Sequence, residues 1–107
     1  MYVVRRVYTT QPREARRVAE LAAEMAKAYE EAGQRSDVRV YFNNGTVPGE
    51  KDRVYMEWVT DALKSPYRGD NEIPARAQEI NAEVRKLVVD SSIEFYELFT
   101  PDKAMPQ

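Results

Sequence analysis

A chain of 107 residues with 16 basic and 18 acidic side chains carries a net charge of −2, and it has neither cysteine nor histidine. That excludes a disulfide framework, a thiolate metal site, a thiol nucleophile and any mechanism using imidazole as base, metal ligand or haem ligand. Apolar residues at 43% and charged residues at 32% describe one ordinary soluble globular domain.

The near-balanced charge offers no global field for nucleic acid. Arg5, Arg6, Arg13, Arg16 and Arg17 crowd the start of the chain, but three of them sit on a predicted helix beside Glu14 and Glu20. They read as a solvated face. No apolar run is long enough for a bilayer, and no charged n-region, apolar h-region and cleavage site open the chain. A cytoplasmic location with no membrane partner is expected.

Residues 2 to 8, YVVRRVY, are rich in Val and Tyr and predict a first strand. TTQPRE then supplies a helix start, with Gln11 as cap, Pro12 at the first helical position and Glu14 at the positive end of the dipole. Ala15, Val18, Ala22, Met25 and Tyr29 recur at spacings of three and four, which predicts a helix to about Ala32 capped by Gly33. DVRVYFNN predicts a second strand, with Val38, Val40 and Phe42 on one side and Arg39, Tyr41 and Asn43 on the other. A polar turn with Gly45 and Gly49 leads to a third strand, DRVYMEWV, residues 52 to 59.

TDALKSPYRGDN reads as a connection with a helical turn begun by Thr60. Ile73, Ala77, Ile80, Val84, Leu87 and Val88 mark a second helix, with Pro74 in its first turn. SIEFYELF, residues 92 to 99, predicts a fourth strand. Residues 1 to 101 thus form one domain, and residues 102 to 107 a tail without periodicity.

The element order, βαββαβ, predicts a ferredoxin-like α+β fold: a four-stranded antiparallel sheet with both helices on one face. The other face would then be bare, yet the strands place Val, Tyr, Phe, Met and Trp on both sides. Large exposed apolar faces mark contact surfaces, and the simplest cover is a second copy of the sheet in a two-fold homodimer.

Three stretches, RVYTTQP, VYMEWVTDALKSPYR and IEFYELFTP, give the chain a resemblance to the dimeric α+β barrel superfamily, in particular its NIPSNAP-like and antibiotic-biosynthesis-monooxygenase-like domains. The resemblance implies a homodimer with a pocket between sheet and helices or inside the barrel. It also implies action on small aromatic or polyketide-like molecules as oxygenases, cyclases, isomerases or decarboxylases. Several members use histidine or haem. This chain has no histidine, so haem degradation and histidine-based variants do not carry over.

Alternation puts Arg39 with Tyr41, Tyr55 with Glu57, Arg6 with Tyr8 and Glu94 with Tyr96. The ligand-binding candidates are therefore Arg6, Tyr8, Arg39, Tyr41, Tyr55 and Tyr96, a polar-aromatic lining able to orient an oxygenated ring. Glu57, drawn out of water, is the candidate general base, with a tyrosine hydroxyl or Arg39 steadying an enolate or phenolate oxygen. The plainer alternatives are interface packing with hydrogen-bonded tyrosine tips and a cross-strand Arg39–Glu57 ion pair. Trp58 shares a side with Val54 and Met56 and is assigned to the core.

The acidic loop pairs Glu50/Asp52 and Asp70/Glu72 lack metal-ligand spacing, and no Gly-rich phosphate loop occurs, so no metal or other cofactor is expected. The function read from the sequence is a small homodimeric barrel that binds a small aromatic or polyketide-like molecule and transforms it without cofactor, by oxygenation or cyclisation. The rival is a non-catalytic dimeric stress-response-like or accessory module.

Overall fold

The structure, a computed structural model, describes residues 1–61 and 73–106. Its elements are β1 (Tyr2–Thr10), α1 (Ala15–Glu31), β2 (Arg39–Asn43), β3 (Arg53–Thr60), α2 (Ala75–Leu87) and β4 (Val88–Glu97), followed by a short 3₁₀ turn, Pro101–Lys103. The strands form one antiparallel sheet in the order β2-β3-β1-β4. This is the expected ferredoxin-like βαββαβ arrangement, with β1 and β3 central and the two helices packed on each other.

The core is the layer between helices and sheet. Even-numbered positions of β1 and β3 face it: Val4 and Tyr8 from β1, and Val54, Met56 and Trp58 from β3, are all buried. Small side chains on α1, among them Ala15, Ala19, Ala22 and Ala26, are buried too, and they let the helix approach its neighbours closely. α2 adds Ala77, Ile80 and Val84. Trp58, at 8% exposure, is a core residue as its side of β3 requires.

α1 begins three residues later than predicted. β1 runs on to Thr10, residues 11–14 form a turn with Arg13 at φ 68°, and Glu14 holds the N-cap position without a side-chain cap bond. Gln11 serves the other helix. Its backbone N–H donates to the Leu87 carbonyl at 2.9 Å and its side-chain amide to the Lys86 carbonyl at 3.3 Å. These bonds satisfy two carbonyls that a helix C-terminus leaves open.

With those carbonyls occupied, α2 passes into β4 with no intervening loop. Val88, which continued the helical stripe in the sequence, is the first residue of the strand, and β4 spans Val88–Glu97 rather than residues 92 to 99. Pro74 stands at the N-cap of α2 in extended conformation, just outside the first turn.

Gly33 ends α1 as expected. At φ 71° it lets its N–H reach the Glu30 carbonyl while the N–H of Gln34 reaches that of Tyr29, the paired-bond helix stop that a left-handed residue makes possible. The connection predicted after Thr60 lies, beyond Asp61, outside the described residues, as do Asp70 and Glu72.

Candidate functional site

The register separates the predicted site residues into two groups on opposite faces of the sheet. Arg6 pairs with Met56 and Ile93, and Tyr8 with Val54. Both therefore belong to the helix-covered face. Arg39, Tyr41, Tyr55, Glu57 and Tyr96 occupy the open face. The single polar-aromatic lining expected from alternation is thus two structures, because Arg6 and Tyr8 are even-numbered in a strand whose odd-numbered residues meet Tyr55 and Glu57.

On the open face, one row crosses all four strands as Arg39–Glu57–Arg5–Glu94, its charges alternating in sign. The Arg39 guanidinium donates to Glu57 Oε2 at 2.5 Å, the Tyr41 hydroxyl to Glu57 Oε1 at 2.9 Å, and Arg5 Nε to Glu94 Oε1 at 2.7 Å. Both oxygens of Glu57 are engaged, and its side chain is 16% exposed against 75% for Arg39. The next row stacks Tyr41 on Tyr55 at 5.0 Å between ring centroids, and Arg5 lies over the Tyr55 ring at 4.9 Å.

Burial first, and then the bond to Glu57, raise the pKa of Tyr41, so its phenol stays protonated and donates. Tyr96 stands opposite Val3, half exposed, two positions along β4 from Glu94. Arg5 is the member that sequence reasoning left out of the site. Its odd position, in step with Val3 and Val7, was the available signal.

On the other face, a cleft of about 750 Å³ opens between the sheet and the helices, among the described residues. Arg6 and Tyr8 of β1, Met25 and Tyr29 of α1, Met56 of β3 and Ile73 line it, and Arg35 reaches it from the turn after α1. The Arg35 guanidinium is clamped between two rings, 3.6 Å from the centroid of Tyr29 and 3.7 Å from that of Trp58. Burial pushes its pKa down to about 10, and the charge of Arg6 acts in the same direction.

Tyr8, 5% exposed, has its phenol pKa raised by burial, while the charges of Arg6 and Arg35 pull the other way. Tyr8 is therefore a neutral hydroxyl beside two guanidinium ions. Sequence reasoning missed Arg35 and Tyr29 as site residues. Arg35 lies in a turn, where no periodicity assigns it a face, and Tyr29 read as one more member of the helical stripe.

The described residues contain no group of three metal-ligating side chains, and no helix of the structure is long and apolar enough to cross a membrane.

The chain matches no protein-family profile and no curated protein by sequence. Solved structures do match. A protein from Agrobacterium tumefaciens superposes with a TM-score of 0.72 at 11% identity, over 98% of this chain and 100% of its own. A NIPSNAP family protein from the same organism gives 0.65 at 19%, over 96% and 95%. A Deinococcus radiodurans protein put forward as an antibiotic biosynthesis monooxygenase gives 0.66 at 14%, over 99% and 100%. At these identities the likeness is one of fold, and it covers nearly the full length of every chain compared. The ferredoxin-like α+β fold read from the order of elements is the one this chain shares with NIPSNAP-family and antibiotic-biosynthesis-monooxygenase-like proteins.

Proposed function

We propose that this chain forms a two-fold homodimer through its open sheet face and binds a small aromatic molecule in the cleft between sheet and helices. The observation that carries the binding role is the cleft itself. It is large enough for a small organic ligand and combines apolar Met25, Met56 and Ile73 with Tyr8, Tyr29 and three guanidinium groups, those of Arg6, Arg35 and the more exposed Arg85. Aromatic and apolar walls with a few convergent polar groups are the composition of a ligand site.

The charge row of the open face supports the dimer. A copy rotated by half a turn about an axis along the strands presents the row in reverse, so that each arginine meets a glutamate. Such a face is self-complementary, and Val3, Val7, Val59, Tyr41 and Tyr96 supply apolar contact around it.

The neighbour put forward as a monooxygenase suggests the reaction class, cofactor-free oxygenation of the bound ring, or its cyclisation. Binding without turnover is the second reading. It is favoured by one observation: of the described residues lining the cleft, Asp90 is the one carboxylate, and it lies exposed on β4. Light scattering distinguishes a dimer from a particle of 12.4 kDa. Amide chemical-shift mapping with a hydroquinone under nitrogen then locates the ligand. Shifts clustered at Tyr8, Tyr29 and Met56 are expected, and shifts confined to Tyr41, Tyr55 and Tyr96 would overturn the assignment. Oxygen uptake with the same hydroquinone separates the enzyme from the binder.

A further inference from the structure

Resting on the cleft as the binding site, we infer that its ligand carries a carboxylate, held by Arg6 and Arg35 with Tyr8, on an apolar body seated against Met25, Met56 and Ile73. Five arginines elsewhere in the described fold are paired with carboxylates. Arg5 pairs with Glu94, Arg17 with Glu20, Arg39 with Glu57, Arg53 with Glu50, and Arg76 with both Glu24 and Glu79. Arg13, Arg16 and Arg85 have no carboxylate partner among the described residues but are exposed. Arg6 and Arg35 have none among those residues and are partly buried, although the chain carries 18 acidic side chains. Arg35 is instead held by ring faces, and Arg6 is close enough for its charge to oppose that of Arg35.

Two like charges brought together beside buried apolar walls cost free energy unless an anion joins them. Guanidinium forks match a carboxylate in shape as well as charge, since each can donate two parallel N–H bonds. Tyr8, kept protonated by burial, adds a hydroxyl donor at the same place. The aromatic clamp on Arg35 also limits the rotamer freedom the side chain would lose on binding, so less is spent in ordering it.

The remaining surfaces of the cleft are apolar or carry neutral polar groups, Gln78, Asn81 and Ser91, apart from the exposed Arg85 and Asp90. A bare inorganic anion would leave the apolar walls unused. A neutral ring would leave the two guanidinium ions uncompensated. An amphipathic monoanion uses both.

Trp58 is the sole tryptophan and stacks on Arg35, so its fluorescence reports on the occupant. The test titrates the intact protein with 3-phenylpropanoate, with the neutral 3-phenylpropanamide and with inorganic phosphate, by tryptophan fluorescence and calorimetry. The carboxylate is expected to bind at least about ten-fold more tightly than the amide. Arg6→Gln and Arg35→Gln should each remove most of that preference while leaving amide binding in place. Arg35→Lys retains the charge but loses the planar fork and its stacking, and it should recover the preference only in part.

Far-UV circular dichroism identifies any variant that fails to fold. Because Arg6 is not stacked in the core, Arg6→Gln keeps the test decisive if the Arg35 variants are lost. Equal affinity for carboxylate and amide, or a preference that survives in Arg6→Gln, would overturn the carboxylate assignment and leave the cleft as a binding site. Phosphate binding more tightly than the carboxylate would overturn it as well. Failure of all three probes to bind would overturn the cleft reading and this inference together.

Discussion

The two faces of the sheet treat arginine in opposite ways. On the open face Arg5 and Arg39 point across the strands at Glu94 and Glu57, and the charges cancel within the row. On the helix-covered face Arg6 sits one residue away from Arg5 in sequence, yet it meets Met56 and Ile93 across the strands and shares a cleft with a second guanidinium. A one-residue step in a strand reverses the side-chain direction. In this chain it separates a neutral, self-complementary surface from an electropositive, partly apolar hollow. A surface whose charges are already balanced is suited to lying against another protein surface. Charges left unbalanced beside apolar walls are suited to a small anion.

The largest effect expected from breaking this contrast comes from the covered face. Trp58→Ala removes a buried ring and one side of the Arg35 clamp. Deleting a large buried aromatic costs about 3–5 kcal/mol, and the lost cation–π contact adds about 0.5–2 kcal/mol. A domain of this size is stable by only about 5–15 kcal/mol. Urea unfolding followed by far-UV circular dichroism should therefore place the variant close to the limit of folding. A loss below about 1 kcal/mol would show that Trp58 is not a core residue.

Tyr55→Asp should act on the other face. Tyr55 lies between Tyr41 and Arg5, at 5.0 and 4.9 Å. An aspartate there adds a negative charge next to Glu57, removes the ring stacked between Tyr41 and Arg5, and so unbalances the face proposed to meet a second copy. The expected result is a folded monomer of 12.4 kDa by light scattering, with 3-phenylpropanoate affinity retained if the cleft is independent of the dimer. A dimer of unchanged stability would mean that the open face is not the contact.

How much of this contrast could be read from the sequence follows from what kind of pattern each part rests on. Alternation in VYMEWV placed Val54, Met56 and Trp58 together and Tyr55 with Glu57, and the register keeps both sets as read. The 3.6-residue stripe gave α1 to within three residues at its start and placed the stop at Gly33. The relation between strands could not be read in the same way. Whether Arg6 or Arg5 faces Tyr55 depends on a one-residue choice of register, and both faces of β1 are apolar enough to leave that choice open.

The partnership of Gln11 with the end of α2 joins residues 75 positions apart, and no local rule could supply it. The same applies to Arg35. Its place over Trp58 follows from where the turn after Gly33 delivers the chain, a tertiary fact with no periodic trace in QRSDV.

Glu57→Gln is the smallest perturbation and the most informative about where any chemistry occurs. It keeps the shape of the side chain and the hydrogen bond from the Tyr41 hydroxyl while removing the ion pair with Arg39. That arginine is largely exposed, so solvent screens the pair and the stability change should be at most about 1 kcal/mol in denaturant unfolding. Glu57 and the cleft lie on opposite faces of the sheet, so carboxylate binding to the cleft should be unaltered within error. Any turnover detected for the parent protein should persist.

Loss of turnover with unchanged folding and unchanged binding would give Glu57 a part in the reaction and move the chemistry to the space enclosed between two sheets. The Arg39–Glu57–Arg5–Glu94 row would then serve both the contact between copies and the reacting molecule. Retained turnover would leave the open face with association alone, and the two guanidinium ions beneath the helices with the substrate.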